Sequence, residues 1–155
     1  MKPKNKIMNL TLSIGNIVNN NTGNGVGNIG STTNYFNTIF STTYTGAHAD
    51  LAEHYQGDQN YSPGTVVVFG GEKEITASSW GDRAIGVIST NPAFMMNAEL
   101  EGGTFVALKG RVPVKVLGKV KKGNRLFAGT NGVAVVADPQ AVDVFAIVLE
   151  DSNEL

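Results

Sequence analysis

Apolar side chains in this chain come in short alternating runs, and polar turns separate them throughout. Near the front, residues 7–14 alternate apolar with polar positions, and residues 35–44, Tyr35-Phe36-Asn37-Thr38-Ile39-Phe40-Ser41-Thr42-Thr43-Tyr44, do so at greater length. The second run is dense in aromatic and β-branched residues, which suit a pleated strand. Between the two lies Asn19-Asn20-Asn21-Thr22-Gly23-Asn24-Gly25-Val26-Gly27-Asn28-Ile29-Gly30. Gly and Asn tolerate positive φ, so this stretch reads as successive turns and not as a helix. Neither run has an obvious neighbour in the front, and a lone hairpin is marginal in water. The pattern therefore predicts partner strands from other copies of the chain; the alternative is that both runs fold back onto residues 50–155.

From residue 50 onward the pattern predicts strands over 65–69, 74–77, 84–89, 104–108, 112–117, 125–128, 133–137 and 142–150. Pro63-Gly64, Gly70-Gly71, Gly102-Gly103, Lys122-Gly123-Asn124 and Thr130-Asn131-Gly132 mark the turns. Asn131-Gly132, set between Phe127 and Val133, is the strongest hairpin signal because both turn positions need positive φ. Helix is expected only over 50–55 and 94–100, a turn or two each. Short strands punctuated by glycine turns predict a mostly β chain: an extended or intertwined N-terminal segment, then a compact barrel or sandwich-like domain.

Charge sharpens the boundary. Residues 1–49 hold Lys2, Lys4 and Lys6, while residues 7–49 contain no Lys, Arg, Asp or Glu. Residues 50–155 hold all 13 acids and the other nine bases, which leaves −4 against +3 for the front. The expected domains are 1–49, a shaft or attachment segment, and 50–155, a β domain large enough to bury a core. No apolar run approaches the roughly 18 residues of a membrane span, so insertion is not expected. The basic start lacks the apolar stretch of a signal peptide. Without cysteine there is no disulfide framework, thiolate metal site or cysteine nucleophile. A net charge of −1 gives no bulk attraction to nucleic acid.

Motifs for phosphate or dinucleotide binding are missing, and Gly23, Gly25, Gly27 and Gly30 lack the strand and helix that would make them a nucleotide loop. His48 and His54 flank Asp50 and Glu53, but their spacing matches no metal-ligand pattern; neither metal nor cofactor is expected. Lys109, Arg111, Lys115, Lys119, Lys121, Lys122 and Arg125 form a run with no acid inside it. Alternation would line Lys109, Arg111 and Lys115 along one strand face, either solvated or docking an acidic partner. Asp50 and Glu53 stand three apart, which on a helical turn shares a face. Paired carboxylates there can divide acid and base roles, or Asp50 can cap a short helix and Glu53 complete a capping box. Pro113 belongs at an edge, a bulge or a strand start. Arg111 is a candidate brace of the junction through a bidentate contact to Asp50 or Glu53.

Several stretches resemble known proteins. Gly27-Asn28-Ile29-Gly30-Ser31-Thr32-Thr33-Asn34-Tyr35-Phe36-Asn37-Thr38-Ile39-Phe40 resembles the end of tailed-bacteriophage fibre shafts. Ala49-Asp50-Leu51-Ala52-Glu53, Pro63-Gly64-Thr65-Val66-Val67, Gly86-Val87-Ile88-Ser89-Thr90-Asn91-Pro92-Ala93 and Leu108-Lys109-Gly110-Arg111-Val112-Pro113-Val114-Lys115-Val116 resemble the self-cleaving chaperone domain of phage neck appendages and related fibre C-termini. The resemblance implies a virion protein working as a homotrimer, with an intertwined shaft and a C-terminal domain that assists assembly. In self-cleaving members it also implies cutting before the Asp of Asp-x-x-Glu, here the Ala49–Asp50 bond, with Asp50 and Glu53 acting.

A charge-free shaft suits three-fold packing, since no three like charges meet at one height. Its repetitive register is poorly specified and needs a folded trimer to fix it. Because a 49-residue front is short for a long fibre, the expected role is a short fibre, tip or decoration protein of the virion that keeps its C-terminal domain and contacts other virion proteins. A host surface glycan is a further expected partner only if Trp80, the one tryptophan, binds sugar.

Overall fold

The computed structural model describes residues 28–31 and 33–153. The expected run 7–14, most of the Asn/Gly stretch and the first lysines lie outside the described residues. The chain divides into two units, Met1–Thr43 and Tyr44–Leu155. In the first, Ser31 and Asn34 close a small antiparallel bridge beside Gly30, whose φ is +90°. Residues 35–44, expected as a strand, form none, and Phe36, Ile39 and Phe40 are exposed. A strand is stabilised by a neighbour's backbone, and this segment has no ladder with any described residue of its own chain.

The second unit is built almost wholly of strands: β1 (Asp50–Tyr55), β2 (Val66–Phe69), β3 (Ile75–Ala77), β4 (Gly86–Ile88), β5 (Phe94–Met96), β6 (Thr104–Gly110), β7 (Arg125–Ala128), β8 (Ala134–Val136) and β9 (Ala146–Ile147). Six strands make one sheet in the order β3-β2-β4-β6-β1-β5, and three make another in the order β8-β7-β9. The two sheets form a sandwich-like arrangement with no closed barrel. All pairs are antiparallel except β1 with β5.

Val66 and Val87 of the larger sheet meet Leu126, Ala128, Ala134, Val120 and Val148 in one apolar cluster. The opposite face of the larger sheet carries a second cluster, Val67, Ile75, Ile88 and Val106, covered by Tyr55, Tyr61 and Ile85. Consecutive valines Val66 and Val67 thus serve opposite cores, which is why β2 reads as an unbroken apolar run and not as an alternation. Each such fully buried side chain stabilises the fold by about 1.5–3 kcal/mol.

Five of the expected strands recur as β2, β3, β4, β6 and β8 with trimmed or shifted ends, and a sixth recurs as β7 with the same bounds. Asn131 (φ 58°) and Gly132 (φ 71°) form the β7–β8 hairpin turn, as their residue types require. Three expectations are corrected. Residues 50–55 are the strand β1 and not a helical turn, because β6 and β5 hydrogen-bond both its edges and that pairing outweighs local helix preference. Residues 94–96 are likewise a strand, β5, paired with β1 along one edge, after which Asn97 (φ 52°) turns the chain. Residues 112–117 make no strand beyond one bridge, Val116 to Ala134. Their alternation survives in burial: Val112, Val114 and Val116 pack on the core while Pro113, which has no donor for a ladder, faces out. The last expected strand shrinks to β9.

Candidate functional site

The junction candidates gather where β1 begins. Asp50 is 6% exposed, and the Ser89 hydroxyl donates to its Oδ2 at 2.6 Å. The Asp50 carbonyl accepts from the Ala93 N–H at 2.8 Å. The Ala49 carbonyl accepts from the Arg111 N–H at 3.1 Å. Gly110, paired across from Asp50, has φ +117°, and a Cβ there would run into the Ala49 carbonyl oxygen. The glycine therefore lets β6 close directly onto the Ala49–Asp50 peptide. Just beyond, a β-bulge places Leu108 out of register with β1.

Strand geometry separates the two carboxylates. In β1 alternate residues share a face, so Asp50, Ala52 and His54 point one way and Leu51, Glu53 and Tyr55 the other. Three residues of strand also put roughly 10 Å between the Asp50 and Glu53 backbone positions. Glu53 accepts from the Tyr55 hydroxyl at 2.8 Å on its own face. Burial, reinforced by that hydrogen bond and by the charge of Glu53, pushes the Tyr55 phenol up to about 12. The capping box is also absent, since no helix starts here.

Arg111 reaches the junction through its backbone alone. Among the described residues the one ion pair is Arg83 with Asp143, so the bidentate contact from Arg111 to Asp50 or Glu53 is not formed. The reason is geometric: the Asp50 carboxylate is turned inward to Ser89, while Arg111 follows the positive-φ turn at Gly110 and is exposed. Ser89 is the residue that sequence reasoning missed. Its signal was weak, since a Ser after an apolar strand is commonplace and only β4–β6–β1 adjacency brings it to Asp50.

The other candidates are dispersed. His48 is exposed, whereas His54 lies on the Phe105 ring at 3.9 Å between centroids with Nδ1 unpartnered. Among the described residues no three His, Asp or Glu side chains come together as a metal site. Lys109, Arg111 and Lys115 do not share one strand face, because β6 ends at Gly110. Trp80 is exposed and meets Phe127 edge-on at 4.8 Å. Two polar clefts flank the 57–62 loop. One of about 310 Å³ includes Asp58, Lys73 and Thr104; the other, of about 260 Å³, includes Ser62, Lys115 and Asn131. Asp58 bonds the Tyr61 hydroxyl, and this hydrogen bond, with a second from Thr76, holds its carboxyl below the usual carboxylate range. Among the described residues no helix is long and apolar enough to cross a membrane.

No family model and no curated protein matches the sequence. Among solved structures, the crystal structure of the pre-mature bacteriophage phi29 gene product 12 is similar, with a TM-score of 0.57 and 16% identity over 73% of this chain. The chain spans 23% of the length of that protein. At this identity the likeness establishes a common fold.

Proposed function

We propose that this chain is a structural protein of a tailed-phage virion, a short fibre, tip or decoration protein, and that it works as a homotrimer whose domain 50–155 drives assembly. The observation that carries the reading is the fold held in common with part of a phage gene product, reached at low identity and along most of the chain. The exposed, charge-free residues 35–43 support it. Phe40 is 95% exposed and Ile39 69%, and three wound chains would supply the strand neighbours that the described residues of one chain do not. Light scattering at micromolar concentration is expected to give three times the 16.3 kDa chain mass, and peptides of the chain are expected in purified particles. A folded monomer, or particles without the chain, contradicts the proposal.

A second reading, self-cleavage at Ala49–Asp50, draws on the same junction. The Arg111 N–H polarises the Ala49 carbonyl, and a buried carboxylate adjoins the bond. Amide hydrolysis also needs an activated water and a proton for the leaving nitrogen. Within one chain Asp50 and Glu53 cannot divide these tasks, because they face opposite ways. The geometry thus favours an uncut chain that keeps its C-terminal domain. Denaturing mass spectrometry is expected to find one 16.3 kDa species. Fragments ending at Ala49 and starting at Asp50, absent in Glu53→Gln, would establish cleavage instead.

A further inference from the structure

The cleft of about 260 Å³ beside the 57–62 loop has an uneven chemistry: Lys115 lines it, and no acidic residue does. The Lys115 ammonium donates to the Ser62 hydroxyl and, at 2.8 Å, to Thr65 Oγ1. It makes no ion pair with any described residue. The neighbouring carboxylate, Asp58, is already engaged by Tyr61. The ammonium thus rests on two neutral hydroxyls with no counter-charge among the described residues.

Lys115 is exposed, but its backbone is anchored on two sides. The Lys115 N–H donates to the Gly64 carbonyl at 2.9 Å, and its carbonyl accepts from the Ala134 N–H at 2.8 Å, so its backbone is tied to the loop before β2 and to β8. Thr65 is 5% exposed, and its own hydroxyl hydrogen goes to the Ser62 carbonyl at 2.7 Å. Ser62, in contrast, accepts from Lys115 and has its hydrogen left to give. The third Lys115 N–H is likewise unspent. Asn131, fixed in a left-handed turn, lines the same cleft together with Gln59 and Asn60.

We propose that this cleft binds an oxyanion, the phosphoryl or carboxylate group of an acidic carbohydrate-like ligand, between Lys115, Ser62 and Asn131. A fixed positive charge with convergent N–H and O–H donors is the arrangement that stabilises such a group. The amides of Gln59 and Asn60, which both donate and accept, suit the hydroxyls of a polyol around it. The inference does not depend on the trimeric virion reading, since every group belongs to one chain.

The full-length chain titrated with inorganic phosphate at constant ionic strength, followed by amide NMR, tests it. Saturable shifts at Ser62, Thr65, Lys115 and Asn131 are expected, with a Kd on the order of 1 mM. Lys115→Gln preserves the backbone ties and is expected to weaken binding about tenfold or more, because it removes the charge and leaves a neutral donor. Lys73→Gln, in the other cleft, is expected to leave binding unchanged. Glucuronate in place of phosphate separates a carboxylate preference from a phosphoryl one, and glucose is expected to give no shift at these residues. Absence of saturation, equal binding by Lys115→Gln, or equal binding of glucose would overturn the site. Should Lys115→Gln fail to fold, Ser62→Ala decides: several-fold weaker binding supports the site and unchanged binding removes it.

Discussion

Asp50–Tyr55 and residues 35–43 are opposites in composition and in fate. The first carries two carboxylates and a histidine in six residues, yet it lies inside a six-stranded sheet with β6 on one side and β5 on the other. The second is rich in threonine and aromatics, the residues that favour strands, yet it has no ladder with any described residue. The contrast teaches that β structure follows the availability of a backbone partner more than the preference of the residues. Gly110 and the bulge at Leu108 supply that partner for β1. For 35–43 no described residue supplies one, and the proposed homotrimer would draw it from another chain.

The comparison breaks most severely at Gly110. Gly110→Val places a branched Cβ at φ +117° against the Ala49 carbonyl, and it is expected to cost about 3–5 kcal/mol, enough to unfold the domain or halve its urea midpoint. A smaller loss is expected from Ser89→Ala, which leaves the buried Asp50 carboxylate without its hydroxyl donor: about 1–3 kcal/mol by urea denaturation. Asp50→Asn combined with Ser89→Ala should recover part of it, since a neutral amide is less costly to bury. If the single Ser89→Ala variant is as stable as the parent, the inward face of β1 is not held as described.

The opposite face of β1, where Tyr55 covers the second apolar cluster, gives a pH signature. Tyr55 is raised to about 12 in the fold from about 10 when unfolded, so its contribution is fully present below pH 10 and lost as pH rises through 12. Melting temperature should therefore fall between pH 10 and 12, and Tyr55→Phe should flatten that fall. The smallest effect on the domain is expected from Phe40→Ser, within about 0.5 kcal/mol because the ring is exposed in one chain. The same substitution is expected to lower the yield of trimer, which separates the two regions in a single variant.

Much of this was legible in the residues. Alternation and glycine turns locate most strands, and Asn131-Gly132 marks its hairpin because few other pairs accept two positive φ values. Asp50–Tyr55 misled because its i, i+3 carboxylates and Leu-Ala centre suit a helix, and nothing local announces that β5 and β6 will flank it. Residues 112–117 kept their alternation without becoming a strand, since burial of three valines needs only an extended path while a ladder needs donors that Pro113 lacks. At the candidate site, Asp50 was visible as the first acid at a compositional boundary, paired with Glu53. Ser89 and the Arg111 N–H were not, because strand order across β4, β6 and β1 brings them together from distant sequence. Lys115 stood out only as one member of a basic run; its hydroxyl partners lie some fifty residues earlier.

Amide hydrogen exchange over residues 35–43 in the assembled protein bears most directly on the claim that other chains complete this segment. Alternate amides of Phe36 to Thr42 are expected to be protected, and the protection is expected to disappear on dilution to monomer or in Phe40→Ser. Free exchange across the whole segment in a stable trimer would contradict the claim.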